Sequence, residues 1–270
     1  MIAFPNAKIN IGLRVTGLRS DGFRNLESCF YPVNWCDALE IILAQTTQFT
    51  SSGLDIPGDS INNLCLKAYK LLQQDFDLQP VHIHLHKNIP IGAGMGGGSA
   101  DAAFTLKLLN DLFELKIAVP ELENYARKLG SDCAFFIQNK PVFAIEKGDV
   151  FEPLAIDLTN YKVVVIYPDL HITTAEAYQT VVPQVPAENL KKLLQQPLAT
   201  WKDHVQNDFE KALFLKYPVL PQLKEYLYQA GALYASMTGS GSAVFGIFSP
   251  DFTGPLLVPN ATYAVWQGSL

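Results

Sequence analysis

The residues with the clearest chemical potential lie in a glycine-dense segment from Pro90 to Ala103, PIGAGMGGGSADAA. The segment lies between an alternating strand pattern and a helical pattern. Glycines lack a Cβ, so successive backbone N–H groups can approach an anion, and the start of a helix adds its positive end. A glycine run also costs conformational entropy, which disfavours a passive surface loop. The segment therefore predicts a phosphate-binding loop.

Known phosphate loops narrow the kind of nucleotide site. Three of the glycines match G-x-G-x-x-G, but Pro90 separates them from the preceding strand pattern, and no repeating βαβ pattern surrounds them. A Walker A loop has Lys before Ser or Thr, whereas here Gly98 directly precedes Ser99. The glycine loop of protein kinases accompanies HRD and DFG sequences, which this chain lacks. The glycine segment is therefore expected to be a phosphate-binding loop of a kind other than these three.

Hydrophobic patterns predict the elements that hold this loop. Ala7 to Val15 alternates apolar with polar residues, which places Lys8 and Asn10 on one face of a strand. Further strands are predicted at 26–33, 38–43, 81–86, 162–167, 233–237, 243–248 and 261–266. Helices are predicted at 62–74, 99–115, 120–129, 187–195, 203–214 and 221–230. This mixture predicts an α+β protein with an N-terminal domain at 1–158 and a C-terminal domain at 159–270.

Composition indicates a globular protein without a broad surface for nucleic acid or membranes. The 270 residues are 49% hydrophobic and carry a formal net charge of −6, so an anionic ligand needs a local site. No signal-peptide pattern and no membrane-length apolar stretch is present, and the four cysteines form no C-x-x-C pair. We expect a cytoplasmic protein with reduced cysteines and with neither a nucleic-acid nor a membrane partner.

Three histidines, His82, His84 and His86, alternate along one predicted strand. Alternate side chains share a strand face and could converge on a metal ion. No nearby carboxylate or cysteine supplies the remaining ligands, and an exposed polar face explains the same alternation. The sequence favours the polar face and leaves the metal site as an alternative.

Three segments in order along the chain resemble the motifs of GHMP kinases, the group that contains galacto-, homoserine, mevalonate and phosphomevalonate kinases. The glycine segment is similar to P-x-G-x-G-L-G-[GS]-[GS]-S-A, with Met95 where Leu is frequent. The other two are Pro5 to Asn10 (PNAKIN) and Thr238 to Ser242 (TGSGS). The resemblance implies an ATP-dependent small-molecule kinase that uses Mg²⁺. It also implies two domains, a β-rich α/β N-terminal domain with the glycine-rich phosphate loop and a ferredoxin-like α+β C-terminal domain.

The resemblance also implies roles for individual residues. Asp132 would be the base that accepts the proton of the attacking hydroxyl, with Lys8 as a cation beside it. The alternatives are a helix-capping aspartate and a solvated strand lysine. Asn10 would lie near the acceptor substrate, and the backbone of Gly239 and Ser240 would close on it, unless these residues serve ordinary turn chemistry.

A further set of residues is implied to bind ATP. They are Pro90, Gly92, Ala93, Gly94, Met95, Gly96, Gly97, Gly98, Ser99 and Asn63. The Ser99 hydroxyl would approach the phosphates and magnesium, and its alternative is a helix N-cap. Asn63 would lie near the adenine, and its alternative is turn chemistry.

Other segments resemble one branch of these kinases, whose acceptor is a small cytidine diphosphate-linked alcohol. They are Lys8 to Asn10, Arg19 to Phe23, Asn62 to Leu64 and Leu129 to Asp132. That branch usually has R-x-D-G-Y-H, and here Phe23 and Arg24 take the last two places. Phe23 can still stack on a cytosine ring, whereas Arg24 donates hydrogen bonds but accepts none, unlike a neutral histidine. The open alternatives are a GHMP kinase for mevalonate, phosphomevalonate, homoserine or a sugar, and a non-catalytic nucleotide-binding regulator.

Overall fold

The computed structural model describes residues 1–254 and 260–270. These residues form twelve strands and nine α-helices. The strands are β1 (Ile2–Ala3), β2 (Asn6–Leu18), β3 (Arg24–Cys36), β4 (Ala38–Leu43), β5 (Gln48–Gly53), β6 (Val81–Lys87), β7 (Val142–Ile145), β8 (Val150–Glu152), β9 (Lys162–Tyr167), β10 (Tyr234–Met237), β11 (Val244–Phe248) and β12 (Ala264–Ser269). The helices are α1 (Leu64–Leu72), α2 (Gly97–Leu112), α3 (Val119–Leu129), α4 (Phe135–Gln138), α5 (Thr174–Gln179), α6 (Leu190–Leu193), α7 (Trp201–His204), α8 (Glu210–Lys216) and α9 (Val219–Gln229).

The chain forms two compact units. The first unit consists of Met1–Ala7, Trp35–Ile91 and Gly96–Lys140, and the second unit consists of Lys8–Asn34, Gly92–Met95 and Pro141–Leu270. The chain therefore passes from one unit to the other inside the glycine segment. A single domain boundary near residue 158 stays a prediction.

The first unit contains a four-stranded sheet with helices packed on it. Its strand order is β1-β4-β6-β5, in which β5 is parallel to β6 and the other pairs are antiparallel. Val81, Ile83 and Leu85 of β6 are buried because alternate residues of a strand face the same side. Helix α2 packs against β4 and against α1 and α3, so it is fixed on several sides.

The other face of β6 carries His82, His84 and His86. Thr50 Oγ1 lies 2.8 Å from ring nitrogens of His82 and His84, and Ser52 Oγ lies 3.0 Å from ring nitrogens of His84 and His86. Among the described residues, no group of three or more His, Cys, Asp or Glu side chains is placed to hold a metal ion. The histidines thus form a hydrogen-bonded polar strand face.

The second unit contains two four-stranded sheets. Their strand orders are β2-β3-β7-β8 and β10-β11-β9-β12. The residues at 163–166 in β9 are fully buried, which agrees with their continuous apolar sequence. Helix α9 packs on β10 and β11, and its Leu223 joins Phe209 and Leu213 in one buried cluster. Strand β10 lies at the edge of its sheet.

Most predicted elements are confirmed within a few residues at each end. Each of the eight predicted strands overlaps an observed strand, and the predicted helices at 62–74, 99–115, 120–129 and 221–230 correspond to α1, α2, α3 and α9. The helix predicted at 187–195 is confined to α6, which Asn189 caps by accepting the N–H of Lys192. The strand predicted at 261–266 is β12, and residues 255–259 of the same tail lie outside the described residues.

The single helix predicted at 203–214 is wrong. Helix α7 ends at His204, and α8 begins at Glu210. Between them, the N–H of Leu13 donates to the carbonyl of Gln206 at 2.9 Å, and the N–H of Asp208 donates to the carbonyl of Leu13 at 2.8 Å. These bonds to β2 take backbone groups that a continuous helix would use, so the helix is interrupted.

Two further features concern the cysteine side chains and the length of the helices. All four cysteines carry free thiols, and Cys29, Cys65 and Cys133 are buried. Across residues 1–254 and 260–270, no helix combines the length and the apolar character needed to cross a membrane.

Candidate active site

Left-handed glycines shape the loop that follows β6. Gly92, Gly94 and Gly96 have φ angles of 70°, 78° and 72°, which residues with a side chain rarely adopt. A Cβ on Gly94 would lie 2.2 Å from the carbonyl oxygen of Thr238, so that position has no room for a side chain. The loop conformation therefore requires glycines, as expected for a cradle of backbone N–H groups.

Helix α2 begins directly after this loop and supplies further N–H groups. Its N-cap is Gly96, which makes no side-chain capping bond. The first N–H groups of a helix have no acceptor within the helix, so those of Gly97, Gly98 and Ser99 are available to an anion. Ser99 is the third residue of α2, and its interpretation as the N-cap is wrong. Its hydroxyl instead contacts the Cys133 thiol.

A buried ionic cluster holds both ends of the glycine loop. The Lys87 ammonium, at the end of β6, donates to Asp37 Oδ2 and, at 2.8 Å, to Asp101 Oδ2 in the second turn of α2. Asp37 Oδ1 accepts the backbone N–H groups of Asn88 at 2.6 Å and Ile89 at 2.8 Å, immediately before the loop. One cluster therefore fixes the residues that enter the loop and the helix that leaves it.

The cluster is almost completely shielded from water. Lys87, Asp37 and Asp101 are at most 3% exposed, and Asp101 Oδ1 has no hydrogen-bond partner in the described part of the chain. Burial raises the pKa of Asp101 to about 7, although the Lys87 ammonium opposes that rise. Burial disfavours the charge of Lys87, but the two carboxylates outweigh it and raise its pKa. A Cβ on Gly97 would lie 2.9 Å from Lys87 Nζ, so the start of α2 rests directly on this cluster.

The TGSGS segment packs on the first half of the glycine loop. Thr238 Oγ1 donates to the carbonyl of Gly94 at 3.2 Å, and the N–H of Ala243 donates to the carbonyl of Ala93 at 3.1 Å. A Cβ on Gly239 would lie 2.8 Å from the same Gly94 oxygen. The two predicted backbone loops are therefore in direct contact within the second unit.

The PNAKIN segment meets the same two loops. The N–H of Lys8 donates to the carbonyl of Met95 at 2.9 Å, and the N–H of Asn10 donates to Thr238 Oγ1 at 3.0 Å. Lys8 is 3% exposed, and its ammonium lies 2.5 Å from Asn10 Oδ1 and 4.6 Å from the ring centroid of Phe30. The interpretation of Lys8 as a solvated strand lysine is therefore wrong.

Asp132 lies in the turn that follows α3 in the first unit. Gly130 is the C-cap of α3, and Asp132 is half-buried. The N-cap of the next helix is Ala134, without a side-chain capping bond, so Asp132 is not at the N-cap position of that helix. Burial raises the pKa of the neighbouring Cys133 thiol to about 12, so this thiol stays protonated near neutral pH.

Phe23 and Arg24 lie where the hairpin from β2 enters β3. Phe23 is 56% exposed, with Lys147 Nζ at 5.3 Å from its ring centroid, so its ring is available for stacking. Arg24 donates to the carbonyl of Val181 at 3.2 Å, and its guanidinium lies 5.8 Å from the ring centroid of Tyr178. The structure thus holds Arg24 by protein contacts and adds a second aromatic ring close to it.

Asn63 is the N-cap of α1. Its Oδ1 accepts the N–H of Cys65 at 2.8 Å, which caps the start of this helix. The amide nitrogen of its side chain and a second lone pair on its oxygen are the groups that could meet an adenine, and that contact stays a prediction.

The donors of the loop fit nucleotide phosphates. Backbone N–H groups and a helix start attract anions, and a Cβ on Gly98 would meet only Leu64 Cδ1, at 3.8 Å, so the backbone there is open. The described residues provide no cluster of metal-ligating side chains.

Several residues of the site were not identified from sequence. Lys87, Asp37 and Asp101 come from three separate segments, and their pairing has no signature of spacing. Tyr178 lies on the short helix α5, which the hydrophobic pattern did not reveal. The interruption of the predicted helix at 203–214 brings Asn207 to β2, and no local pattern signals it.

Comparison with known proteins supports the reading of these motifs. Two family models match, the GHMP kinases N terminal domain at residues 63–140 and the GHMP kinases C terminal domain at residues 187–254. A 4-diphosphocytidyl-2-C-methyl-D-erythritol kinase of Cytophaga hutchinsonii is 56% identical over 250 residues, which covers 92% of this chain and 93% of the relative. The kinase of the same name from Bacteroides fragilis is 51% identical over 255 residues, with 93% of each chain covered.

A solved structure agrees with these relatives. The crystal structure of a 4-(cytidine 5'-diphospho)-2C-methyl-D-erythritol kinase matches with a TM-score of 0.76 at 30% identity, and the match covers 92% of this chain and 90% of that one. The chain is therefore a GHMP kinase, with both domains in order, and the α+β fold class is confirmed. Within that class it belongs to the family of 4-diphosphocytidyl-2-C-methyl-D-erythritol kinases.

The raised pKa of Asp101 predicts a pH-dependent stability. Because folding raises this pKa, the folded state binds more protons than the unfolded state between about pH 4 and pH 7, and the free energy of unfolding falls as pH rises through that window. Asp101→Asn removes this titration. We expect the loss of stability between pH 5 and pH 8 to be smaller in the variant than in the wild type by about 1–3 kcal/mol, as measured by urea denaturation.

Asp111→Asn, an exposed carboxylate on the same helix, serves as the control and should keep the wild-type pH dependence. Equal pH profiles for Asp101→Asn and wild type would contradict the titration of the buried carboxyl.

Proposed function

We propose that the protein transfers the γ-phosphoryl group of ATP to the 2-hydroxyl of 4-diphosphocytidyl-2-C-methyl-D-erythritol, in the non-mevalonate pathway to isoprenoid precursors. The observation that carries this proposal is the 56% identity over 92% of the chain to a kinase of that name, together with the glycine loop that requires its glycines. A cytoplasmic location is part of the proposal and is supported by the four free thiols.

In this proposal the glycine loop binds the phosphates of ATP. The residues proposed to bind these phosphates, mostly through their backbone, are Pro90, Gly92, Ala93, Gly94, Met95, Gly96, Gly97, Gly98 and Ser99. Asn63 is proposed to lie near the adenine. Mg²⁺, when bound, would offset charge on the β- and γ-phosphates, and the Ser99 hydroxyl is the side chain proposed to contact it. The buried cluster at Lys87 supports the role by holding the loop at both ends.

Asp132 is the proposed base. Its carboxylate accepts the proton of the 2-hydroxyl while the hydroxyl oxygen bonds to the γ-phosphorus and the bond from that phosphorus to the leaving oxygen breaks. Lys8 is the proposed cation that offsets charge on the transferred group. Its burial and its hydrogen bond to Asn10 support this role, since both restrict the ammonium to one position.

The proposed acceptor site uses the aromatic hairpin and the TGSGS loop. Phe23 stacks on the cytosine, Arg24 donates to the acceptor, and Asn10 with the backbone of Gly239 and Ser240 lies against its reacting end. The exposure of the Phe23 ring supports stacking. The contacts of Arg24 with the Val181 carbonyl and the Tyr178 ring support its role by restricting its guanidinium.

Asp132→Ala should lower kcat by roughly 10²–10⁴-fold with little change in either KM, because a base acts in the transition state. Lys8→Met should show the same pattern. The matched control is Asp55→Ala, an exposed carboxylate of the first unit, which should keep wild-type kinetics. Steady-state ADP release checks this, and near wild-type turnover by Asp132→Ala would reject Asp132 as the base.

Phe23→Ala tests recognition of the cytosine. Loss of a stacking partner should weaken acceptor binding by about 1–3 kcal/mol, seen as a higher acceptor KM at unchanged KM for ATP. Phe4→Ala removes a similarly exposed phenylalanine of the first unit and should change neither constant. An acceptor KM that stays at its wild-type value in Phe23→Ala would rule out the stacking role.

A further inference from the structure

A short segment at Asn207–Glu210 holds the end of β10 and the TGSGS loop. The side-chain amide of Asn207 donates to the carbonyls of Met237 at 2.8 Å and Gly239 at 2.9 Å, while its Oδ1 accepts the N–H of Phe209 at 3.0 Å. Glu210 Oε1 accepts the N–H of Met237 at 2.8 Å. Asn207 is 2% exposed, and all the hydrogen-bonding atoms of its side chain are used.

Part of this arrangement has a purely structural explanation. Strand β10 is at the edge of its sheet, and edge strands carry backbone groups that no neighbouring strand satisfies. Asn207 donates to the carbonyl of Met237, and Glu210 accepts its N–H. These two side chains therefore satisfy both backbone groups of Met237 at the edge of the sheet. The bond to Gly239 lies beyond the end of β10 and is not explained by the edge.

The bond to Gly239 fixes the direction of the next backbone donor. The peptide between Gly239 and Ser240 is trans, so its carbonyl and its N–H point in opposite directions. Because the carbonyl points at Asn207, the N–H of Ser240 points away from it. Ser240 is half-exposed, and its N–H has no acceptor within the described ranges.

The TGSGS loop also packs directly against the glycine loop. Gly239 and Thr238 contact the backbone of Gly94 so closely that neither Gly94 nor Gly239 has room for a Cβ. Gly239 has a φ of 55°, and alternating left-handed residues in short loops bring N–H groups into anion-binding concavities. A tilt of the Gly239 peptide would therefore move two groups together, the N–H of Ser240, which is a potential anion donor, and the glycine loop at Gly94.

We propose that Asn207 is a positioning residue of the kinase, which holds the Gly239 peptide so that the N–H of Ser240 donates to a phosphate oxygen of a bound substrate. The inference rests on the proposed function for the identity of the substrates. ATP and the diphosphate-linked acceptor both offer such an oxygen, and the experiment separates them.

The test follows the amide signal of Ser240 by ¹H–¹⁵N NMR in the isotope-labelled full chain. The probes are a non-hydrolysable ATP analogue with Mg²⁺ and, separately, 4-diphosphocytidyl-2-C-methyl-D-erythritol. Asn207→Asp keeps the acceptor for Phe209 but loses both donors, and Asn207→Ala removes the donors without adding a buried charge. Asp208→Asn is the control, because Asp208 accepts the N–H of Val15 at 2.8 Å and its neighbour Asn207 is left intact.

We expect one probe to move the wild-type Ser240 amide proton downfield, and that probe identifies the substrate that supplies the oxygen. The same shift should be lost in both Asn207 variants, with the KM for that substrate raised at least tenfold and the other KM within twofold. Asp208→Asn should keep the shift and both constants. If Asn207 only stabilised the fold, its variants would contain a smaller fraction of active enzyme, and the KM values for ATP and for the acceptor would not change relative to each other.

Two results would overturn the proposal. One is a wild-type Ser240 amide signal that responds to neither probe. This result needs only the wild-type protein, so it holds even if the variants fold poorly. The other is an Asn207 variant that keeps the shift and both KM values, which would leave Asn207 as an edge-satisfying residue only. Failure of the proposed function is distinct, since wild-type enzyme would then not turn over the cytidine substrate while the ATP-analogue arm still reports on Ser240.

Discussion

The close approach of two backbone loops is the constraint on which the candidate site depends. Gly94 lies against Thr238 and Gly239 with no space for a Cβ on either glycine, and the N–H of Ala243 reaches the carbonyl of Ala93. Only glycine permits such an approach with a left-handed backbone. The entropy that these glycines lose on folding is offset by a fixed array of backbone donors, which a phosphate can use without reorganising the protein.

Buried polar side chains hold this array at its edges. Lys87, Asp37 and Asp101 fix both ends of the glycine loop, and Asn207 fixes the loop on which it rests. Burying charges and amides is costly unless they are hydrogen-bonded, and these groups are paired except for one oxygen of Asp101. The polar interior of each unit therefore serves to position backbone atoms as well as to stabilise the fold.

The sequence predicted the parts that local patterns control. Alternation located β2 and β6, a continuous apolar run located β9, and the glycine density located the phosphate loop and the helix behind it. It missed contacts between distant segments, such as Lys87 with Asp37, because spacing does not encode them. It also joined α7 and α8 into one helix, since the competing bonds to Leu13 come from a strand about two hundred residues earlier. The roles of Asp132, Lys8 and Phe23 came from the resemblance, and local physics alone left Asp132 and Lys8 with ordinary alternatives.

The central claim is tested most directly by ADP release from the purified protein with MgATP and 4-diphosphocytidyl-2-C-methyl-D-erythritol, run beside mevalonate, homoserine and galactose. The account predicts turnover with the cytidine compound alone. Turnover with another acceptor and not with this one would contradict the assigned substrate and leave the kinase fold. ATP binding without turnover on any acceptor would contradict the assigned reaction and favour a nucleotide-binding regulator.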